Sequence, residues 1–275
     1  MPELPEVQTI VNDLQKITSD TITGFWTDFP KAIKSENIGS KITNQKIKSV
    51  MRNGKNIIIE IANEKFIVIH LKMTGKLILT KLQPAAYKLE AVPKHLHHIF
   101  YLKKNGALEF HDIRKFATIE IISKTKLLEI TAKKGVDPFS TEFTIEKFTE
   151  LIERKKHKSI KSILMDQTVI SGIGNIYASE IPFDSKINPH RKISSLSPAE
   201  LKLLQKSILK ILKKAIELRG TSFSDYRDGN DKKGGFQNFL KVYGKAGKKC
   251  VKCDTIIEKG TVEQRSTFHC PACQK

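Results

Sequence analysis

The 275-residue sequence predicts an α+β protein of more than one domain. Three observations carry this. After a helical start, the first half is built of short β-type runs, the second half follows helical spacing, and all four cysteines crowd at the C-terminal end.

Element by element, Leu4, Val7, Ile10, Val11, Leu14 and Ile17 recur every three or four residues, forming one face of an amphipathic helix, so the N-terminus sits at a helix start. Between about 24 and 130 the pattern changes to β-rich runs such as 56–60, 65–70, 76–80 and 117–122, separated by polar or glycine-containing turns. Several short strands of this kind form a sandwich or a barrel. Residues 133–139 break both periodicities and contain Gly135 and Pro138, which reads as a linker. Helical spacing then covers 144–154, 159–169, 174–182 and 197–218; the last opens with Ser197-Pro-Ala-Glu200, a capping-box pattern. Residues 171–175, Ser-Gly-Ile-Gly-Asn, join two of these helices, and the polar stretch 219–235 reads as a mobile loop.

Lysine and arginine number 48 against 29 acidic residues, a formal charge of +19. Such a field concentrates polyanions and makes nucleic acid the leading partner. No apolar run reaches the roughly 18 residues of a membrane span, and no basic lead precedes an apolar core, so a soluble cytoplasmic protein is expected.

The cysteines form two Cys-x-x-Cys pairs, Cys250 with Cys253 and Cys270 with Cys273. This clustering argues against a distributed disulfide framework and fits a two-stranded zinc ribbon. Four thiolates leave no open coordination position, so one structural Zn²⁺ is expected, holding a hairpin whose tip or edge presents Arg265.

Met1 precedes a small residue, and its removal would expose the secondary amine of Pro2 as a nucleophile. Glu3 and Glu6 flank that amine at the positive end of the helix dipole, a placement that an ordinary helix start also shows.

The opening Met-Pro-Glu-Leu-Pro-Glu-Val resembles the start of the formamidopyrimidine-DNA glycosylase family. So, in the family's order, do His70-Leu-Lys-Met-Thr-Gly75, Asp112-Ile-Arg-Lys-Phe116, Leu164-Met-Asp-Gln167 with Gly172-Ile-Gly-Asn-Ile-Tyr-Ala178, Thr221-Ser-Phe-Ser-Asp-Tyr226, Val242-Tyr-Gly244 and the cysteine finger. The resemblance spans essentially the whole chain. It implies a β-sandwich catalytic domain with a flanking helix over 1–132, a helix–two-turn–helix DNA-binding domain over 139–235, and a zinc finger over 241–275, with damaged double-stranded DNA in the cleft between the halves.

The resemblance also implies roles. Pro2 attacks C1′ of an oxidised-purine nucleotide to give a Schiff base, Glu3 helps open the sugar with Glu6 as supporting carboxylate, Lys55 donates a proton in β-elimination and Arg265 serves δ-elimination. A lesion must be flipped from the duplex, and Met73, Arg114 and Phe116 match the trio that fills the hole. Lys55, His70, His95, Lys161, Asn175 and Arg265 become phosphate and backbone contacts, with His157 beside them. The chain departs from the family pattern at Leu96, usually acidic, at Ile113, usually proline, at Ala117, usually glycine, and at His157, usually Lys or Arg.

The expected protein is a monomeric bifunctional glycosylase and lyase acting on 8-oxoguanine and formamidopyrimidines. Its rivals are the related endonuclease VIII branch, which prefers oxidised pyrimidines, and a catalytically silent DNA-binding protein.

Overall fold

The computed structural model describes residues 1–82 and 92–275. Two compact units emerge: residues 1–132 with 218–237, and residues 133–217 with 238–275.

The first unit opens with helix α1 (Leu4–Leu14), whose inward face carries Leu4, Val7, Ile10, Val11 and Leu14. Each such side chain, fully buried, contributes roughly 1.5–3 kcal/mol. Among the described residues eight antiparallel strands follow, with the short helix α2 (Ile38–Ile42) between the first two: β1 (Thr21–Thr27), β2 (Gln45–Asn53), β3 (Asn56–Ile61), β4 (Lys65–His70), β5 (Gly75–Thr80), β6 (Leu96–Leu102), β7 (Gly106–Asp112) and β8 (Thr118–Ser123). Their order is β5-β7-β6-β1-β2-β3-β4-β8, with β1 and β2 joined only by the pairs Thr21–Lys46 and Ile22–Gln45.

That short joint divides the strands into two four-stranded layers sharing one core. Ile57, Ile59, Ile67 and Ile69 come from one layer, Leu77, Phe100, Leu108 and Phe110 from the other, and the inward side chains of α1 belong to the same core. β5 and β8 stay unpaired with each other, so the choice between sandwich and barrel falls to the sandwich. Helix α3 (Lys124–Ala132), absent from the sequence reading, has no fully buried residue and rests on the sheet only through the half-buried Leu127 and Ile130, too short an apolar stripe to reveal it.

The second unit holds α4 (Ile145–Glu153), α5 (Ile160–Met165), α6 (Tyr177–Asp184), α7 (Pro198–Glu217) and the hairpin of β9 (Glu258–Val262) and β10 (Arg265–His269). Thr144 and Ser159 cap α4 and α5 through their hydroxyls. The Ser197–Glu200 capping box at α7 forms as its sequence predicts: the Ser197 N–H donates to Glu200 Oε2 at 2.8 Å. The adjoining Arg191 guanidinium holds the Glu200 carboxyl down to about 2.

Three expectations change. Helix α5 stops at Met165 instead of continuing to 169, because the Asp166 carboxylate accepts the Thr168 N–H and hydroxyl at 2.9 and 2.7 Å and offers the backbone a turn. The stretch read as a linker is stitched down: Gly135 N–H donates to the Gln167 carbonyl, and Val136 bridges Ile170. Residues 219–235, read as a mobile loop, fold into the first unit, where Asp228 and Gly229 are buried.

Candidate functional site

In the first unit, Glu3 is the N-cap of α1, and the box closes reciprocally: the Glu3 N–H donates to Glu6 Oε2 at 2.8 Å while the Glu3 carboxylate accepts from the Glu6 backbone. Pro2, Glu3 and Glu6 are all buried. The second Glu6 oxygen accepts the Thr221 N–H at 2.7 Å, and the Tyr226 hydroxyl donates to the Glu6 carbonyl at 3.3 Å. Burial, with the Glu6 and Asp228 carboxylates nearby, pushes the Tyr226 phenol well above its ordinary range and keeps it a donor. Gly220, at φ +79°, allows this approach, since a Cβ there would stand 2.8 Å from Glu6 Oε1. The two carboxylates expected from helix-start spacing are thus brought together, and the segment after Gly220 is fastened to them. Local spacing could not reveal that partner, which lies 215 residues downstream.

Lys55 stands in the two-residue turn between β2 and β3, where the pair Asn53–Asn56 closes the hairpin and Gly54 takes φ +60°. Arg52 aims this tip at α1: its Nε donates to Gln8 Oε1 at 2.8 Å and its Nη1 to the Gly54 carbonyl at 3.3 Å. His70 ends β4, and its Nδ1 accepts the Lys72 N–H at 2.9 Å. This bond places the proton of a neutral ring on Nε2, making that nitrogen a donor. His95 lies half-buried in the turn before β6, and its carbonyl accepts the Asp112 N–H. Leu96, at the departure from the family pattern, is buried against Ile99 and Ala107.

Met73, Arg114 and Phe116 meet at one exposed surface. Arg114 Nη1 reaches Met73 Sδ at 3.0 Å, and its guanidinium lies 4.8 Å from the Phe116 ring centroid. Phe116 remains 52% exposed and Met73 44%, so neither is packed into the core. Their two loops are joined by Asp112, a buried carboxylate that the sequence quoted only as part of a motif. Oδ1 accepts the Thr74 hydroxyl at 2.5 Å and the Arg114 N–H at 3.3 Å; Oδ2 accepts the Ala117 N–H at 2.8 Å. Asp112→Asn would turn an amide NH₂ toward one of these donors. We expect it to cost about 1–3 kcal/mol, read from the urea midpoint, and to loosen the trio.

In the second unit, Lys161 requires a correction. Expected at a phosphate, it is 0% exposed, and its ammonium points inward to the Ser179 hydroxyl at 3.1 Å and the Ser266 carbonyl at 2.7 Å. It braces α5 against α6 and the hairpin. The sequence hid this because a lysine on a short helix reads as solvated, whereas nearly all of α5 is buried. Arg265 opens β10 opposite Val262 and is exposed, after the turn residues Glu263 and Gln264 at φ +44° and +61°. His157 is exposed between α4 and α5, and Asn175, half-buried before α6, has a buried Oδ1 lacking a hydrogen-bond partner among the described residues.

The four cysteine sulfurs lie within 4.8 Å of one another, with Cys253–Cys270 at 3.4 Å and Cys250–Cys273 at 3.9 Å. A tetrahedral Zn–S₄ site at the usual bond length needs S···S separations of about 3.8 Å, so the donor set fits a zinc ion. Among the described residues this is the one cluster able to hold a metal, and no helix among them is long and apolar enough to cross a membrane.

The chain resembles known proteins both domain by domain and over its whole length. Residues 1–119 match the formamidopyrimidine-DNA glycosylase N-terminal domain, and residues 134–227 match the family's H2TH domain. The chain is 41% identical to the formamidopyrimidine-DNA glycosylase of Carboxydothermus hydrogenoformans, covering 100% of both chains. It is 38% identical to that of Pelotomaculum thermopropionicum, covering 100% of this chain and 99% of the other. Among solved structures, Lactococcus lactis Fpg is 36% identical. It superposes with TM-scores of 0.89 in complex with abasic-site DNA, covering 99% of each chain, and 0.88 with oxidised-pyrimidine DNA, covering 100% of each. A variant of it holding Fapy-dG DNA gives 0.89, also over 100% of each. With full-length relatives at this identity and both domain models matched in order, the chain belongs to the formamidopyrimidine-DNA glycosylase family.

Proposed function

We propose that this base-excision-repair DNA glycosylase removes oxidised purines, 8-oxoguanine and formamidopyrimidines, through its N-terminal proline and then nicks the strand by β,δ-elimination. The observation that carries the reading is the double carboxylate at the start of α1. Glu3 and Glu6 are locked to each other, and Pro2 is the residue immediately before the cap. Once Met1 is removed, the Pro2 nitrogen carries a lone pair at that point. It forms a bond to C1′ as the glycosidic bond breaks, and the base leaves with that electron pair and takes up a proton. Opening of the sugar, with Glu3 delivering a proton to the ring oxygen, leaves an iminium ion between Pro2 and C1′.

An iminium acidifies the neighbouring sugar carbon, so the 3′-phosphate departs by β-elimination. Lys55, on its hairpin tip, serves that proton transfer, and exposed Arg265 serves departure of the second phosphate. The Met73, Arg114 and Phe116 surface supplies what a flipped nucleotide leaves wanting: a thioether and a ring to fill the stack and a guanidinium for the orphaned base. His70, His95, Asn175 and His157 fit backbone contacts. Zn²⁺ on the four cysteines would supply a rigid hairpin, with no part in the bond changes. The enzyme is read as a cytoplasmic monomer.

Borohydride trapping on three duplexes tests the reading. A trapped adduct with 8-oxoguanine opposite cytosine, stronger than with an oxidised pyrimidine, is the expected result. The reverse preference would assign the chain the pyrimidine specificity of its endonuclease VIII relatives, and no adduct even with an abasic duplex would leave only a binding protein.

A further inference from the structure

A second pair of buried carboxylates lies farther along the same helix and the same returning segment, and the reaction described above does not use it. Asp13, on the last turn of α1, and Asp228 are both buried, and Arg219 bridges them: Nη2 meets Asp13 Oδ2 at 2.5 Å and Nε meets Asp228 Oδ2 at 2.6 Å. Asp13 also accepts the Gly229 N–H at 3.0 Å, and Asp228 accepts the N–H groups of Asn230 and Lys232 at 2.9 Å each. The ends of the segment are pinched together, with Gly235 N–H donating to the Leu218 carbonyl and Phe236 N–H to the Gly220 carbonyl. Phe223 and Ser224 stand exposed at the tip of the segment, Phe223 at 59%.

This tip is tied to the reaction centre by a short chain of contacts. Thr221 is bonded to Glu6, Glu6 to the Glu3 N–H, and Glu3 follows Pro2. A base attached to a C1′ that Pro2 attacks must lie within a few bonds of that centre, and the loop that carries the tip is anchored to Glu6 there at both Thr221 and Tyr226.

We propose that Arg219, held between Asp13 and Asp228, is a positioning residue for base excision: it fixes the 221–226 loop against α1, so that the loop engages the damaged base while Pro2 engages its sugar. The proposal rests on the N-terminal-amine reading. Charged hydrogen bonds to two buried carboxylates suit this task because they resist displacement when the tip is loaded. An abasic site has no base to hold, so strand cleavage at a preformed abasic site bypasses the clasp.

The test compares wild type, Arg219→Met, Arg219→Lys and the isosteric Asp13→Asn. Single-turnover excision is followed on an 8-oxoguanine duplex and borohydride trapping on a preformed abasic duplex. Excision by Arg219→Met and Asp13→Asn is expected to fall roughly 10- to 100-fold, the range a displacement of about 1 Å produces, while abasic trapping stays near wild type and Arg219→Lys recovers part of the loss. If excision and abasic trapping fall in parallel with thermal stability, the clasp only supports the fold and the proposal is wrong. Unchanged excision in both variants would overturn it equally. Failure of the wild type to trap the abasic duplex would instead remove the N-terminal-amine reading beneath it.

Discussion

A form of the chain that retains Met1 is expected to yield no trapped adduct with an abasic duplex, while still binding that duplex. The expected loss in covalent capture is at least about 10³-fold, the scale on which removing a nucleophile acts. The reason is electronic. With Met1 attached, the Pro2 nitrogen is a tertiary amide whose lone pair is shared with the Met1 carbonyl, so it neither attacks C1′ nor forms an iminium. The fold around it should be unaffected, because the Glu3–Glu6 box and the Thr221 clasp involve atoms beyond that nitrogen. Pro2→Gly, processed to expose a primary amine, should trap, but more slowly: glycine loses the ring that fixes the backbone ahead of the N-cap. Equal trapping by processed and Met1-retaining protein would place the nucleophile elsewhere, with Lys55 as the first amine to examine.

What the sequence disclosed and what it concealed divide by distance along the chain. The α1 face, the four-cysteine cluster and the Ser197–Glu200 box are local patterns whose physics closes within a few residues, and each appears in the structure where its spacing puts it. Pro2, Glu3, Lys55, Met73, Arg114 and Phe116 were nameable because separate motifs in one order identify a family, although spacing alone left Glu3 indistinguishable from any acidic helix start.

Asp112, Asp13 and Lys161 show what was hidden. Each is an ionisable residue whose partners lie on other elements: Thr74 for Asp112, Arg219 for Asp13, Ser266 for Lys161. Periodicity assigns such residues to solvent, because charge is costly to bury unless paired, and the pairing is written nowhere near them. The same blindness turned the 219–235 stretch into a mobile loop. Its glycines and charges have a loop's composition, but Asp228 is 0% exposed and Leu79 N–H donates to the Gly229 carbonyl.

The zinc module gives the second large effect. Cys253→Ser, or prolonged chelation, is expected to release the metal and lower affinity for an abasic duplex by roughly 10- to 100-fold, measured by fluorescence anisotropy beside a zinc assay. The core within this module is small. Val242, Ile257 and Phe268 pack with Phe183, and the remaining buried members, Cys250 and Cys270, belong to the four-cysteine cluster that could hold the ion. Segments below about 40 residues seldom bury enough apolar surface to hold their shape without a metal or disulfide, so losing one thiolate should release the hairpin and not merely weaken it. Released with it is Arg265, whose strand begins just past a turn that holds two non-glycine residues at positive φ. That turn costs conformational energy and persists because the strands behind it are pinned. Lys161 shares the pinning through the Ser266 carbonyl, so a metal-free chain also leaves a buried ammonium short of an acceptor. The loss should therefore appear first in δ-elimination, with β-elimination product accumulating, since Lys55 sits on the other unit's β2–β3 turn and keeps its own support from Arg52. Unchanged DNA affinity and an unchanged product ratio in the zinc-free protein would show that the hairpin holds itself.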